Sequence, residues 1–465
     1  MKLPVILFSL FLVIGSSAAT ITAATASQAS VQAAITSAAA GDTVVIPAGS
    51  VTWSSGVKIN KSLTLQGSGQ TVTLLTRGNG FNDPMVLITG LLSDVPVRVT
   101  GINFNNVTIQ PNRNTFDISI LNSQNRFGFT KIRIDNCAFT AGQSGVAWQG
   151  WAYGVTDHCT FTNVWIGIYI RGSVTDLGDA PWARKDYQAG SANFPFTEDC
   201  TFILNNSFGI PGSPWVTYHE NGGRSVLRHC IIDSHLNTQS IEGPVDCHGN
   251  QSYWANSAND FRGTIRFEFY NNIVHMNHSF RTMDARGGSF LIHDNSFTTD
   301  DAHPDIVDFR DEEDDPKNTP RIRLRSPVQW PCEDQITATF IYNNTYNGAA
   351  QDDSHIGIGV FGNSGSNGDP FYIKKNRDFW TKAPDSTTTT VYPAPGAPSR
   401  SNYPSPYATL QTTSYTPYTY PHPLTQRGSP TGTVTSRQFR SDYAAKTKSE
   451  GASTESGTST SRRSK

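Results

Sequence analysis

Two stretches decide how this chain folds: TIRFEFYNNIV (Thr264–Val274) and DARGGSFLIHDNSF (Asp284–Phe297). Each contains a short run of alternating residues that ends in Asn-Asn or Asp-Asn, with an apolar side chain two positions beyond the second Asn. The cadence recurs in IRIDNCAF, ending at Phe139, in TEDCTF, ending at Phe202, and in IYNNTY, ending at Tyr346. All instances align on one slot filled by Cys137, Cys159, Cys200, Cys230, Asn272, Asn295 and Asn344. The apolar partners are Phe139, Phe161, Phe202, Ile232, Val274, Phe297 and Tyr346. Cys137 to Cys159 spans 22 residues and Asn272 to Asn295 spans 23, and the longer intervals require insertions. A period near this value, with short strands and polar turns, predicts a solenoid with one coil per repeat, because a single coil cannot bury its apolar face alone.

Equivalent residues of stacked coils lie about 4.8 Å apart, so like residues form ladders. The four slot cysteines are therefore expected to be reduced thiols in an interior ladder. Cys247 and Cys332 fall outside the slot and are candidates for a disulfide in an oxidising compartment. Alternation in TIRFEFYNN points Ile265, Phe267 and Phe269 inward and Arg266, Glu268 and Tyr270 outward. Carried through the repeats, that register predicts an outward column of Asp135, Asp157, Glu198, Arg228, Tyr270, His293 and Tyr342. Stacked carboxylates repel unless offset by Arg228, water or a cation. Asp135, Asp157 and Glu198 are therefore candidate Ca²⁺ ligands, against a simple solvated polar face.

The 465 residues include 39 glycines and only 16% charged residues, which suits a β-rich fold with many turns. A net charge of −2 gives no electrostatic support for nucleic-acid binding. The N-terminus MKLPVILFSLFLVIGSSAAT reads as a secretory signal over residues 1–19, with an apolar run too short to span a bilayer. Ser27–Ala39 places Val31, Ala34, Ile35 and Ala38 on one helical face, a short capping helix. The expected organisation is a solenoid over 20–380, a Pro/Tyr/Thr-rich strap over 381–424 that includes SYTPYTYPHPL, and a polar tail over 425–465.

The opening VQAAITSAAAGDTVVIPAGSVTW, the following KSLTLQGSG and the Asn/Cys-x-Phe cadence resemble secreted right-handed parallel β-helix proteins of the pectate-lyase-like superfamily. SVLRHCIID, PVDCHGN and DARGGSFLIHDN are similar to a bacterial branch of these proteins. The resemblance implies an all-β, right-handed parallel β-helix with a short N-terminal capping helix, secreted or at the cell surface. It also implies a polysaccharide as partner, with a monomer as the expected state.

Chemistry concentrates between Arg224 and Arg286. β-Elimination of a uronate chain needs a cation at the carboxylate, a base and a donor to the leaving oxygen. Arg228, Asp246, His248 and Arg286 are the candidate catalytic residues for such a lyase. Arg224, His229, Glu242, Trp254 and Asp284 are candidates for substrate binding. Glycoside hydrolysis would instead use two carboxyl groups, for which Asp246, Glu242, Glu220 and Asp284 are available. A non-catalytic carbohydrate-binding or adhesive protein and a structural envelope protein are the other classes. Trp148, Trp151, Trp165, Trp182, Trp215 and Trp254 are either sugar-stacking rings or packing. The acidic run from Asp308 to Asn318 reads as a solvated loop.

Overall fold

The computed structural model describes residues 18–106, 115–122, 128–171, 189–204, 214–220, 222–236, 243–248, 264–279, 281–300, 305–309, 336–358, 373–388 and 413–426. Helix α1 (Gln28–Ser37) is capped by the Ser27 side chain, which accepts from the Ser30 N–H. It buries Val31, Ala34 and Ile35 over the first coil. From there the chain winds through three parallel faces. Among the described residues twelve strands make the first face, from Thr20–Thr22 to Phe379–Trp380, each paired with its counterpart in the next coil. A larger sheet supplies the other two. Its second face includes Thr201–Ile203, Ile231–Asp233, Ile273–Met276 and Ser296–Thr299; its third includes Trp215–Glu220, Val245–Cys247, Arg281–Ala285 and Asp305–Phe309. The long strands Ala138–Gly150 and Thr160–Arg171 run through both. Stacked in this way, the described strands form a parallel β-helix, with the right-handed winding that parallel crossovers take.

The slot marks the corner between first and second faces, and the residue before it explains the cadence. Asn136, His158, Asp199, His229, Asn271, Asp294 and Asn343 all turn the chain in the left-handed region, with φ from 50° to 56°. Among residues with a Cβ, Asn, Asp and His tolerate that conformation best. After each turn the slot residue points inside. The thiols of Cys137, Cys159, Cys200 and Cys230 each donate to the carbonyl two residues back, at 3.2–3.4 Å. Asn272, Asn295 and Asn344 do more. Their Oδ1 atoms accept the N–H of the preceding slot residue at 2.9 Å, and their Nδ2 atoms donate to Leu227, Phe269 and Ile292 carbonyls at 2.9–3.0 Å. Two residues on, Phe104, Phe139, Phe161 and Phe202 stack at 4.6–5.2 Å. The four ladder cysteines and Cys247 are free, buried thiols, and burial pushes Cys137, Cys200 and Cys247 up. Cys332 lies outside the described residues.

The outward column of the first face has the expected register: Asp135, Asp157, Glu198, Arg228, Tyr270, His293 and Tyr342 pair in succession. It is not a solvated face. Residues 413–426 lie along it, ending in a turn at 423–426, and Tyr418 and Leu424 pack on Val155, Phe196, Val226 and Tyr270. Ile265 also departs from the simple alternation. Phe267 and Phe269 enter the main core, whereas Ile265 joins a separate cluster with the outward-facing Leu291, Phe340 and Trp380.

Within this strap His422 is buried, its N–H on Glu198 Oε1 at 2.8 Å and its ring 4.9 Å from Phe196. Burial, seconded by the Arg228 charge, pushes the imidazole down from 6.5 to about 4. Unfolding below pH 6.5 therefore takes up a proton that the folded chain refuses. The stability His422 contributes is present above pH 6.5 and lost as pH falls towards 4, by up to ~1.4 kcal/mol per unit. His422→Gln is expected to lose about 1.5 kcal/mol less than the parent between pH 6.5 and pH 5 in denaturant titrations. Parallel declines would contradict this.

Candidate active site

The third face aligns three short segments: Thr217–Glu220 (TYHE), Val245–His248 (VDCH) and Met283–Arg286 (MDAR). Cys247 and Ala285 point into the core, and His219 meets the edge of Phe267 at 4.8 Å, so the residues on either side point out. One outward column runs Tyr169, Tyr218, Asp246, Asp284, Asp308. The next runs Arg171, Glu220, His248, Arg286, since the backbone N–H of His248 bonds His219 and that of Arg286 bonds Cys247.

Arg286 is the hub. Its Nε donates to Asp284 Oδ2 at 2.8 Å, its Nη2 stands 3.1 Å from Asp246 Oδ1, and its Nη1 lies 3.2 Å from His248 Nδ1. A guanidinium can only donate, so Nδ1 is the acceptor and Nε2–H faces Asp246 Oδ2 at 3.1 Å. In this arrangement the Nδ1 lone pair of His248 is occupied by Arg286. Burial alone would raise the Asp246 carboxyl, but Arg286 and then His248 hold it well below the usual range. Arg281 continues the network to Asp284 at 3.0 Å and Asp308 at 3.3 Å. On the other side Tyr218 packs its ring 4.6 Å from His248 and stacks on Tyr169 at 5.5 Å. The Tyr169 hydroxyl donates to Glu220, which also pairs with Arg171 at 3.2 Å. Burial and the Glu220 charge push the Tyr169 phenol well above its ordinary value.

The glycines of DARGG have a local reason. A Cβ on Gly288 (φ 91°) would stand 2.1 Å from the Thr264 carbonyl oxygen, so only glycine lets the chain cross the neighbouring coil immediately after Arg286.

Of the residues expected from sequence, Asp246, His248, Asp284 and Arg286 come together here. Arg228 does not. Its slot in the first-face column sends it under the strap, where it bonds Glu198, the Tyr270 hydroxyl and the Tyr418 and Thr419 carbonyls. Arg224 is on the first face too, donating to the Tyr153 hydroxyl with its guanidinium over the Tyr153 and Phe194 rings. His229 is a turn residue stacked on Tyr420 at 3.6 Å. Glu242 and Trp254 lie outside the described residues, as does Trp182. Asp135, Asp157 and Glu198 are each taken by a guanidinium, from Arg98, Arg133 and Arg228 at 2.6–2.8 Å. A Ca²⁺ ion at these carboxylates would have to displace those partners. Trp148 is in the main core, Trp151 in the Ile265 cluster, and Trp165 and Trp215 pack beside Tyr169 and Tyr218. Asp308 belongs to a strand and pairs with Arg281, and the rest of the acidic run, residues 310–318, lies outside the described residues.

No protein-family profile matches the chain, and no curated protein matches it. Seven chains among the solved structures match, and three of them are the following. Alginate lyase from Paenibacillus sp. str. FPU-7 aligns at 14% identity and a TM-score of 0.45, over 73% of this chain and 98% of that one. The PL6 family alginate lyase AlyGC aligns at 13% identity and 0.40, over 71% of this chain and 40% of its own. ORF18 of Geobacillus virus E2 aligns at 12% identity and 0.33, over 63% of this chain and 57% of its own.

Proposed function

We propose that the third-face cluster cleaves an acidic, uronate-containing polysaccharide by β-elimination, in a protein that acts outside the cell. The observation that supports this most is the Arg286–His248–Asp246 contact. A substrate carboxylate competes with Asp246 and His248 for Arg286. Once Arg286 turns to that carboxylate, His248 Nδ1 has a free lone pair beside the acidified C–H, and Asp246 holds the opposite nitrogen. His248 takes the proton, electrons flow into the ring carbons, and the C–O bond to the leaving sugar breaks to give an unsaturated uronate. Imidazolium, paired to Asp246, then returns the proton to the leaving oxygen. Arg286, with Arg281 nearby, offsets the enolate-like charge.

Hydrolysis fits less well. Its general acid is a carboxyl with a raised pKa, whereas Asp246 is held down and Asp284 is shared by two arginines. Among the described residues no helix is long and apolar enough to cross a membrane. The test is a screen of purified protein on acidic and neutral polysaccharides, with and without chelator, read as ultraviolet absorbance of unsaturated product. Absorbance on an acidic polymer is expected. Reducing ends without absorbance would point to hydrolysis, and retention of polymer without cleavage to an adhesive protein.

A further inference from the structure

A separate group of metal-binding side chains stands on the second face. We propose that Asp233, His235 and His275 form a site for a divalent transition-metal ion of the zinc class, with Asp300 as a fourth ligand. Register brings them together: Asp233 pairs with His275, and His275 with Thr298 of the following coil, two residues before Asp300. One ligand atom from each of Asp233, His235 and His275 lies within 4.8 Å of the others. His235 Nδ1 is 2.5 Å from Asp233 Oδ1, the two imidazoles stack at 5.4 Å, and His275 Nε2 is 3.2 Å from Asp300 Oδ2.

The backbone that carries these groups is fixed before any ion arrives. Ser234 N–H bonds the His275 carbonyl at 2.8 Å, and its Oγ accepts the Asn277 N–H at 2.9 Å. Asn277 Nδ2 donates to the His235 carbonyl at 3.0 Å. The turn bearing His235 is thereby clamped to the strand bearing His275. The imidazoles remain about a quarter exposed, at 23% and 24%, so an ion can reach them.

The chemistry selects the ion. Two imidazole nitrogens with carboxylate oxygens suit borderline ions such as Zn²⁺, whereas Ca²⁺ and Mg²⁺ prefer oxygen alone. An ion placed among them would use a lone pair from each of the two stacked imidazoles. Ligation at about 2.0–2.2 Å requires the side chains to contract around it by rotation. The bound ion would cross-link three successive coils at a place independent of the third-face cluster.

The test uses untagged full-length protein stripped with EDTA and dialysed, titrated with zinc chloride by calorimetry and melted with zinc or calcium. A single zinc ion per chain is expected, with a melting temperature that rises in zinc and not in calcium. His235→Gln and His275→Gln should each weaken binding at least tenfold and remove the gain, while melting like the parent in EDTA. Asp300→Asn, more than half exposed, should weaken binding several-fold and serves if either histidine variant fails to fold. Zinc binding unchanged in all three variants, or no binding at micromolar zinc, would overturn the proposal.

Discussion

His248→Gln is expected to lower turnover on a cleavable acidic polysaccharide by about 10²–10⁴-fold, the usual contribution of a positioned general base, while leaving the melting temperature near that of the parent. The two halves of the expectation come from the same contacts. A glutamine amide can accept from Arg286 through its oxygen and donate to Asp246 through its nitrogen, so the buried charges keep partners of the right kind. What it lacks is a nitrogen lone pair that can take and return a proton. Folded His248→Gln with parental turnover would remove His248 from the mechanism. If His248 is the base, the parent's kcat should fall at low pH as the imidazole is protonated, and that limb should vanish in the variant's residual activity.

The second large effect lies far from that site. Arg228→Ala is expected to destabilise the protein by about 3–5 kcal/mol, the usual consequence of removing one partner of a buried ion pair. Arg228 and Glu198 are both fully buried, with Nη2 and Oε2 2.7 Å apart. Truncation strands the Glu198 carboxylate and unties the Tyr418 and Thr419 carbonyls, so the strap should become cleavable in limited proteolysis. Arg228→Lys keeps a charge but not the fork that reaches Glu198, Tyr270 and the strap together, and should fall between. Denaturant midpoints check both. A loss below about 1 kcal/mol for the alanine variant would mean that the strap contributes little.

The first-face column was legible residue by residue because it depends only on the slot register and the two-residue alternation, both local. The third face was harder to read. TYHE, VDCH and MDAR have no residue type common to all three at either outward position, and insertions separate them from the slot. Their alignment is set by the backbone pairing of Tyr218, Asp246 and Asp284. Aligning the inward residues His219, Cys247 and Ala285 would have added Tyr169, Tyr218 and Arg171 to the candidates. Arg228 misled for the opposite reason. Its type suits a carboxylate ligand, but the repeat that locates it also puts it on a different face from Arg286. That residues 190 positions away would cover it is invisible to any periodic reading, since the partners Arg228 and Tyr418 share no repeat.

The strap also sets an order of events. It runs backwards along the solenoid, with Tyr415 on Glu268, Tyr418 and Thr419 on Arg228, His422 on Glu198 and Leu424 on Arg133, the last pair 291 positions apart. All the coils it touches leave the ribosome before it does. The nascent body must therefore wind with its row of carboxylates and guanidinium groups still wet, and desolvation of that row is postponed to the final stage. In reverse, the coils from Arg133 to Glu268 cannot fray one at a time while the latch is shut. Its release is the natural first step of unfolding, and the latch couples repeats that would otherwise melt as near neighbours into one cooperative block.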